Sequence, residues 1–233
     1  MTRWLSVKAR VLRGIIGRRF SVGLTTEAAI VERFHRIYHN AGERTWLNTH
    51  WLGIPTLKCP LDLWVYQEII FGLKPDAIVE CGTASGGSAL YMASILDIIG
   101  VGEVITIDLQ DAVGKPQHKR VKYLVGSTTS QEIVASVARL VSGKKTVMVV
   151  LDSDHHKEHV LNELRTYSGF VTRGSYLIVE DTVIGHPVMP DFGDGPMEAV
   201  GQFLKDNADF SIDRTKEKFY LSFNPNGYLV KTR

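Results

Sequence analysis

From residue 76 onward the chain alternates between short apolar runs and amphipathic stretches, and nothing else in it constrains the fold as tightly. The run AIVECG is brief, apolar and closed by glycine, as expected of a strand buried on both faces. GSALYMASILDIIG then has helical periodicity, EVITIDLQ and VKYLVGS are two further strands, and SQEIVASVARLVSG is a helix begun by Ser130. KTVMVVLDSD, KEHVLNELRTYSGFV and GSYLIVEDT add a strand, a helix and a fifth strand. Strands joined by crossover helices predict a parallel sheet covered on both faces. After a last helix in MEAVGQFLKDN, two alternating runs in FYLSFNPNGYLVKTR, around Asn224-Pro225-Asn226-Gly227, predict an antiparallel hairpin. Such a hairpin can join a crossover sheet only at an edge.

The part before residue 73 reads differently. Residues 25–40 predict a helix with Ala29, Ile30, Phe34 and Tyr38 on one face, stopped by Asn40 and Gly42. TWLNTHWLGIPTLKCP has no period and is too aromatic for a free linker, so it predicts an ordered loop; LDLWVYQEIIFGL predicts a helix ending at Gly72. The division is therefore an arm with a helical extension over 1–72 and an α/β domain over 73–233. A length of 233 residues suits one large domain with such an extension.

Composition narrows the function classes. No run of 18 uncharged apolar residues exists that could span a membrane. Only Cys59 and Cys81 are present, without C-x-x-C spacing. That excludes a disulfide scaffold and a cysteine zinc site, and suits the cytoplasm. Residues 1–20 hold Arg3, Lys8, Arg10, Arg13, Arg18 and Arg19 and no acid, leaving 21 basic against 25 acidic residues in the rest. An acidic body argues against a nucleic-acid partner. As a helix the arm would put Trp4, Val11, Leu12, Ile15 and Ile16 opposite Arg3, Arg10 and Arg13. That pattern fits peripheral contact with the inner face of a membrane, or packing on a partner subunit in a homodimer.

Four strand ends carry the chemistry. In VECGTASGGS, Glu80 and Gly82 close the first strand, Ser85 and Gly86 form the turn, and Ser88 starts the helix. Glycines let a ligand approach the backbone, and a helix start offers free N–H groups. The spacing is not G-x-G-x-x-G, so a pyrophosphate fits poorly. An acid just before the glycines suits a cationic ligand, and S-adenosylmethionine (SAM) carries both an amino group and a sulfonium. Asp108, at the tip of the second strand, is placed to accept hydrogen bonds from a ribose diol, with Ser127 near the adenine. Asp152, Glu180 and Asp181 end the fourth and fifth strands. Clustered carboxylates repel one another unless neutralised, and oxygen ligands point to Mg²⁺. Asp154 competes with Asp152 for that role. His155, three residues beyond Asp152, is in reach of a hydroxyl proton. The loop HPVMPDFGDGPMEAV reads as a lid whose His186, Asp191 and Asp194 touch substrate.

Together VECGTASGGSALY, VLDSDHHKEHVLNEL, GSYLIVEDT and GHPVMPDFGDGPMEA resemble the CmcI/rhamnosyl O-methyltransferase family, whose members are often labelled cephalosporin hydroxylase. The likeness runs from about residue 28 to the C-terminus and is greatest to actinobacterial sugar O-methyltransferases. It implies a class I SAM-methyltransferase fold, a Rossmann-like doubly wound α/β sheet, and Mg²⁺-dependent methylation of a sugar hydroxyl. On matching positions the family's metal acids fall on Asp152, Glu180 and Asp181. The cofactor loop of related catechol-type enzymes falls on Glu80, Gly82, Gly86 and Ser88, and their basic residue falls on His155. This sequence departs from those relatives with Asp108 in place of a glutamate, Asp181 in place of a frequent asparagine, and histidine in place of lysine at 155. Mg²⁺ takes roughly six oxygens, so the resemblance implies a carbohydrate acceptor with vicinal hydroxyls. Two other readings remain open at this level: a nucleotide-dependent oxidoreductase or hydroxylase, and a non-catalytic SAM-binding partner of a biosynthetic complex.

Overall fold

The structure is a computed structural model that describes residues 26–40, 44–111 and 113–233. The basic arm and Gly42 lie outside the described residues. Helix α1 (Glu27–Asn40) leads through a 3-10 turn (Thr45–Asn48) into a two-stranded ribbon, β1 (His50–Trp51) and β2 (Ile54–Pro55), and then helix α2 (Pro60–Leu73). Beyond it lie β3 (Ala77–Cys81), α3 (Gly87–Ile99), β4 (Glu103–Asp108), β5 (Val121–Val125) and α4 (Gln131–Val141). The chain continues with β6 (Val147–Leu151), α5 (Lys157–Tyr167), β7 (Tyr176–Val179), α6 (Pro196–Asp206), β8 (Phe210–Ile212) and β9 (Tyr228–Lys231).

The seven-stranded sheet runs β5-β4-β3-β6-β7-β9-β8. Strands β3 to β7 are parallel, and β9 is antiparallel to both β7 and β8. This is the doubly wound α/β sheet with antiparallel C-terminal strands that the alternation predicts. The order reverses between β3 and β6, which opens a crevice at their carboxyl ends. Side chains alternate across β3: Ile78 packs with Met92, Val104 and Met148 on one face, and Val79 packs with Ile105, Val149 and Leu161 on the other. Both are fully buried, so each contributes roughly 1.5–3 kcal/mol. Ser130 caps α4 by accepting the Ile133 N–H at 3.3 Å.

Three features differ from the sequence reading in detail. First, the core does not pause at residue 72. Val65, Tyr66, Ile69 and Ile70 of α2 join the same cluster as Ile78 and Val150. Second, the first arm of the C-terminal antiparallel pair is Phe210–Ile212, and residues 219–223 form no strand. Side chains take two of their backbone groups: Phe223 N–H donates to Asp62 at 2.7 Å, and the Ser222 carbonyl faces His35 Nε2 at 2.9 Å. Third, α1 is held by that His35 contact and by the edge contact of Tyr38 with Phe223, while Ile30 and Phe34 of its apolar face are at least half exposed among the described residues. No helix among the described residues is long and apolar enough to cross a membrane.

Candidate active site

A cleft of about 1020 Å³ opens at the carboxyl ends of β3, β4, β6 and β7. One end is built by the turn between β3 and α3. Asp108 Oδ2 accepts the N–H groups of Thr83 (3.0 Å) and Ala84 (2.9 Å), and Oδ1 accepts that of Gln110 (3.0 Å). Burial raises this carboxyl's pKa, but the three N–H donors outweigh it and leave it below the ordinary carboxylate range. Asp108 therefore stays ionised and fixes the loop. A carboxylate has roughly four lone-pair sites, so acceptor capacity remains for a ligand hydroxyl.

The glycines of this turn are required first by the chain itself. Gly82 has φ +99°, and a Cβ there would lie 1.9 Å from the Asp152 carbonyl oxygen. A Cβ on Gly87 would lie 2.2 Å from the Pro55 carbonyl oxygen. The tips of β3 and β6 abut, and the β-ribbon lies on the start of α3. Ligand access alone, the reason offered by the sequence, does not account for these two positions.

The other end of the cleft is acidic. Asp152, His155 and Asp181 each offer a ligand atom within 4.8 Å of the others, and His155 Nε2 lies 3.3 Å from Asp181 Oδ2. Asp181 adopts φ +55°, which costs a non-glycine residue energy and turns the chain out of β7. Burial pushes its carboxyl up to about 7; Asp152 and Glu180 add to the rise and His155 opposes it. Such a group favours the arrival of a positive charge.

Glu180 points elsewhere. It is almost fully buried, accepts a hydrogen bond from the Tyr66 hydroxyl, and pairs with Lys58 Nζ at 3.0 Å. Lys58 Nζ also reaches Asp152 Oδ2 at 2.5 Å. Both acids lie beyond the last residue of β7, and the left-handed turn at Asp181 sends the two apart. The structure thus brings together Asp152, His155 and Asp181 of the expected set and places Glu180 one layer behind.

Of the expected nucleoside-binding residues, Gly82, Ser85, Ser88, Asp108 and Ser127 line the cleft, whereas Glu80 and Gly86 do not. Glu80 is fully buried, accepts the Thr106 hydroxyl at 2.6 Å, and is pushed up to about 7 by burial against the pull of Lys58. Its Oε1 has no hydrogen-bond partner among the described residues. Asp154 is engaged by His156, at 2.7 Å from both the backbone N–H and Nδ1, which leaves Asp152 as the acid beside Asp181. In the long loop, His186 pairs with Glu198 and Asp194 with Lys157, so Met189 and Phe192 face the cleft instead.

Sequence reasoning missed Lys58 and Tyr66. A signal for Lys58 existed. It is the lone formal charge between Arg44 and Asp62, within an apolar segment that had to fold against something. A lysine so placed needs carboxylate partners when buried.

These residues fit both groups implied by the sequence. The ionised carboxylate of Asp108, with acceptor capacity left at the cleft wall, suits a cationic nucleoside. The two hard carboxylates of Asp152 and Asp181, facing one point beside the imidazole, suit a divalent cation.

Known proteins share the sequence pattern and the fold. The profile of the Rhamnosyl O-methyltransferase/CmcI family matches residues 43–232. The rhamnosyl O-methyltransferase of Mycobacterium bovis is 37% identical over 213 residues, covering 87% of this chain and 85% of the relative. The apo-structure of CmcI superposes with a TM-score of 0.63 at 21% identity, over 80% of this chain and 77% of that one. A CmcI structure with Mg and SAM gives 0.61 at 21% identity, over 80% and 78%. The chain belongs to the Rhamnosyl O-methyltransferase/CmcI family, and its fold is that of the SAM-dependent O-methyltransferases.

Proposed function

We propose that the chain transfers a methyl group from SAM to a hydroxyl of a rhamnose- or mannose-type sugar, in a glycolipid or polysaccharide precursor, with Mg²⁺ in the acidic centre. The observation that carries this reading is the convergence of Asp152, His155 and Asp181 in the same cleft as the turn pinned by Asp108. The family and the names of its members support the sugar hydroxyl as acceptor.

The 82–88 turn and Asp108 would hold SAM, which would supply an electrophilic methyl group, and Asp152 and Asp181 would hold Mg²⁺, which would supply Lewis-acid charge. The rest falls to the chain's own residues. A sugar hydroxyl holds its proton far above neutral pH, so a base must take it. His155 receives it at Nε2, where Asp181 stabilises the resulting imidazolium. Trp46, Met189, Phe192 and Phe223 wall the cleft, exclude water, and offer apolar faces to the C–H edges of a sugar ring. Two carboxylates leave most positions of a hard cation to the acceptor, which favours vicinal hydroxyls. The basic residues of 1–20 favour work at the anionic cytoplasmic face of a membrane.

Incubation with SAM and a panel of rhamnosides and mannosides tests this. Equal amounts of S-adenosylhomocysteine (SAH) and O-methyl sugar are expected, lost with EDTA and restored by Mg²⁺. His155→Ala lowers kcat by roughly 10²–10⁴ while SAH binding persists. Absence of transfer to every sugar overturns the acceptor class, and full turnover in excess EDTA overturns the metal step.

A further inference from the structure

Behind the wall of the cleft lies a carboxylate that the reaction above does not use. Glu163 of α5 is fully buried, and its Oε1 accepts the hydroxyls of Thr128 at 2.5 Å and Ser153 at 2.6 Å. His159 Nε2 lies 3.2 Å from the same oxygen. Thr128, Ser153 and His159 all line the cleft, and Glu163 does not. Tyr167 holds Thr128 from the same buried side, donating to its carbonyl at 2.7 Å. His159 Nε2 stands farther from the two hydroxyl oxygens than Glu163 does, at 3.4 Å from Thr128 and 3.2 Å from Ser153. The hydroxyl protons therefore point to the carboxylate, the stronger acceptor. A hydroxyl has one proton, so Thr128 and Ser153 present only lone pairs to the cleft.

We infer that Glu163 is a positioning residue that turns Thr128 and Ser153 into fixed acceptors for the exocyclic amino group of adenine. The inference rests on the SAM reading above. A nucleoside with its ribose at Asp108 of β4 and its methyl group towards β6 and β7 carries its base towards the end of β5, where Thr128 lies. On the adenine ring the amino group donates and the ring nitrogens accept. Fixed acceptors therefore pair with the amino group, and they set lone pair against lone pair with a 6-oxo purine. Glu163 touches no ligand and acts through the direction of two protons.

Calorimetric titration of the full chain with SAH and with its 6-oxo analogue, S-inosylhomocysteine, tests it. Wild type is expected to bind SAH at least about thirtyfold more tightly than the analogue, since a site built for an N–H rejects a group that cannot donate. Glu163→Leu frees both hydroxyl protons to turn into the cleft. S-inosylhomocysteine then binds at least about threefold more tightly than it does to wild type, and the preference for SAH falls to within about threefold. Loosened packing weakens both ligands and cannot produce that gain. A buried hydrogen bond removed at both ends costs far less than one removed at a single end. The triple variant Glu163→Leu/Thr128→Val/Ser153→Ala therefore keeps the test open where the single variant fails to fold; its preference is expected to be within about threefold, without the gain.

Tight SAH binding by wild type with no preference over S-inosylhomocysteine overturns the inference and leaves the SAM reading standing. So does a wild-type preference that persists undiminished in Glu163→Leu or in the triple variant. Failure of wild type to bind either ligand overturns both readings together.

Discussion

Asp108 gives the sharpest quantitative test of the donor end of the cleft. In Asp108→Asn one of the two carboxylate oxygens becomes an amide NH₂. Thr83 and Ala84 donate to one oxygen and Gln110 to the other, so the amide must present a donor to a donor on one side. A hydrogen bond to a charged group contributes about 1.5–3 kcal/mol and a neutral one about 0.5–1.5. One bond lost and two weakened amount to about 3 kcal/mol. The cost falls on the ordered turn, the form that lines the cleft. About 3 kcal/mol corresponds to roughly a hundredfold in Kd. Isothermal titration with SAH is therefore expected to show roughly a hundredfold weaker binding in Asp108→Asn, with most of the melting temperature kept, because the turn lies at one end of the fold. An affinity within threefold of wild type would refute the reasoning, since the turn would then hold its shape without the carboxylate.

Two further predictions concern stability. Gly82→Ala puts a methyl group 1.9 Å from the Asp152 carbonyl oxygen at φ +99°; overpacking and backbone strain together cost roughly 3–5 kcal/mol, or about 10 °C in Tm, measurable by scanning calorimetry, and an unchanged Tm contradicts the abutting strand tips. Asp62 is fully buried, accepts from Ser222, Phe223 and Tyr228, and is pushed up by burial from 3.8 to about 6. The folded state therefore holds this proton more tightly than the unfolded state does. Its stabilisation is complete below pH 3.8 and is lost as pH rises through 6, a change of about 3 kcal/mol. Urea unfolding from pH 4 to 7 should show wild type losing that much against Asp62→Asn, and parallel profiles would speak against a buried, proton-holding Asp62.

The parts of the fold that were legible in the sequence were those set by local pattern. Runs such as VMVVL are apolar at every position because β6 is buried on both faces, and that signal survives without tertiary knowledge. Placing acids directly after such runs put Asp108, Asp152 and Asp181 at the cleft. Direction was harder. Glu180 and Asp181 differ by one position, and the left-handed turn at Asp181 that separates them leaves no mark in the local pattern. The partners of Lys58 were illegible for another reason: its contact with Asp152 spans 94 positions, and no periodicity links the two. The alternation in 219–223 resembled a strand, yet His35 and Asp62 claim backbone groups of Ser222 and Phe223, a competition that only tertiary packing decides.

The most direct measurement is an anomalous difference map from crystals of the full chain grown with MnCl₂ and SAH. A single manganese peak is expected between the carboxylates of Asp152 and Asp181, with the nucleoside against Asp108. A peak away from Asp152 and Asp181, or a nucleoside outside the 82–88 turn, would contradict the account.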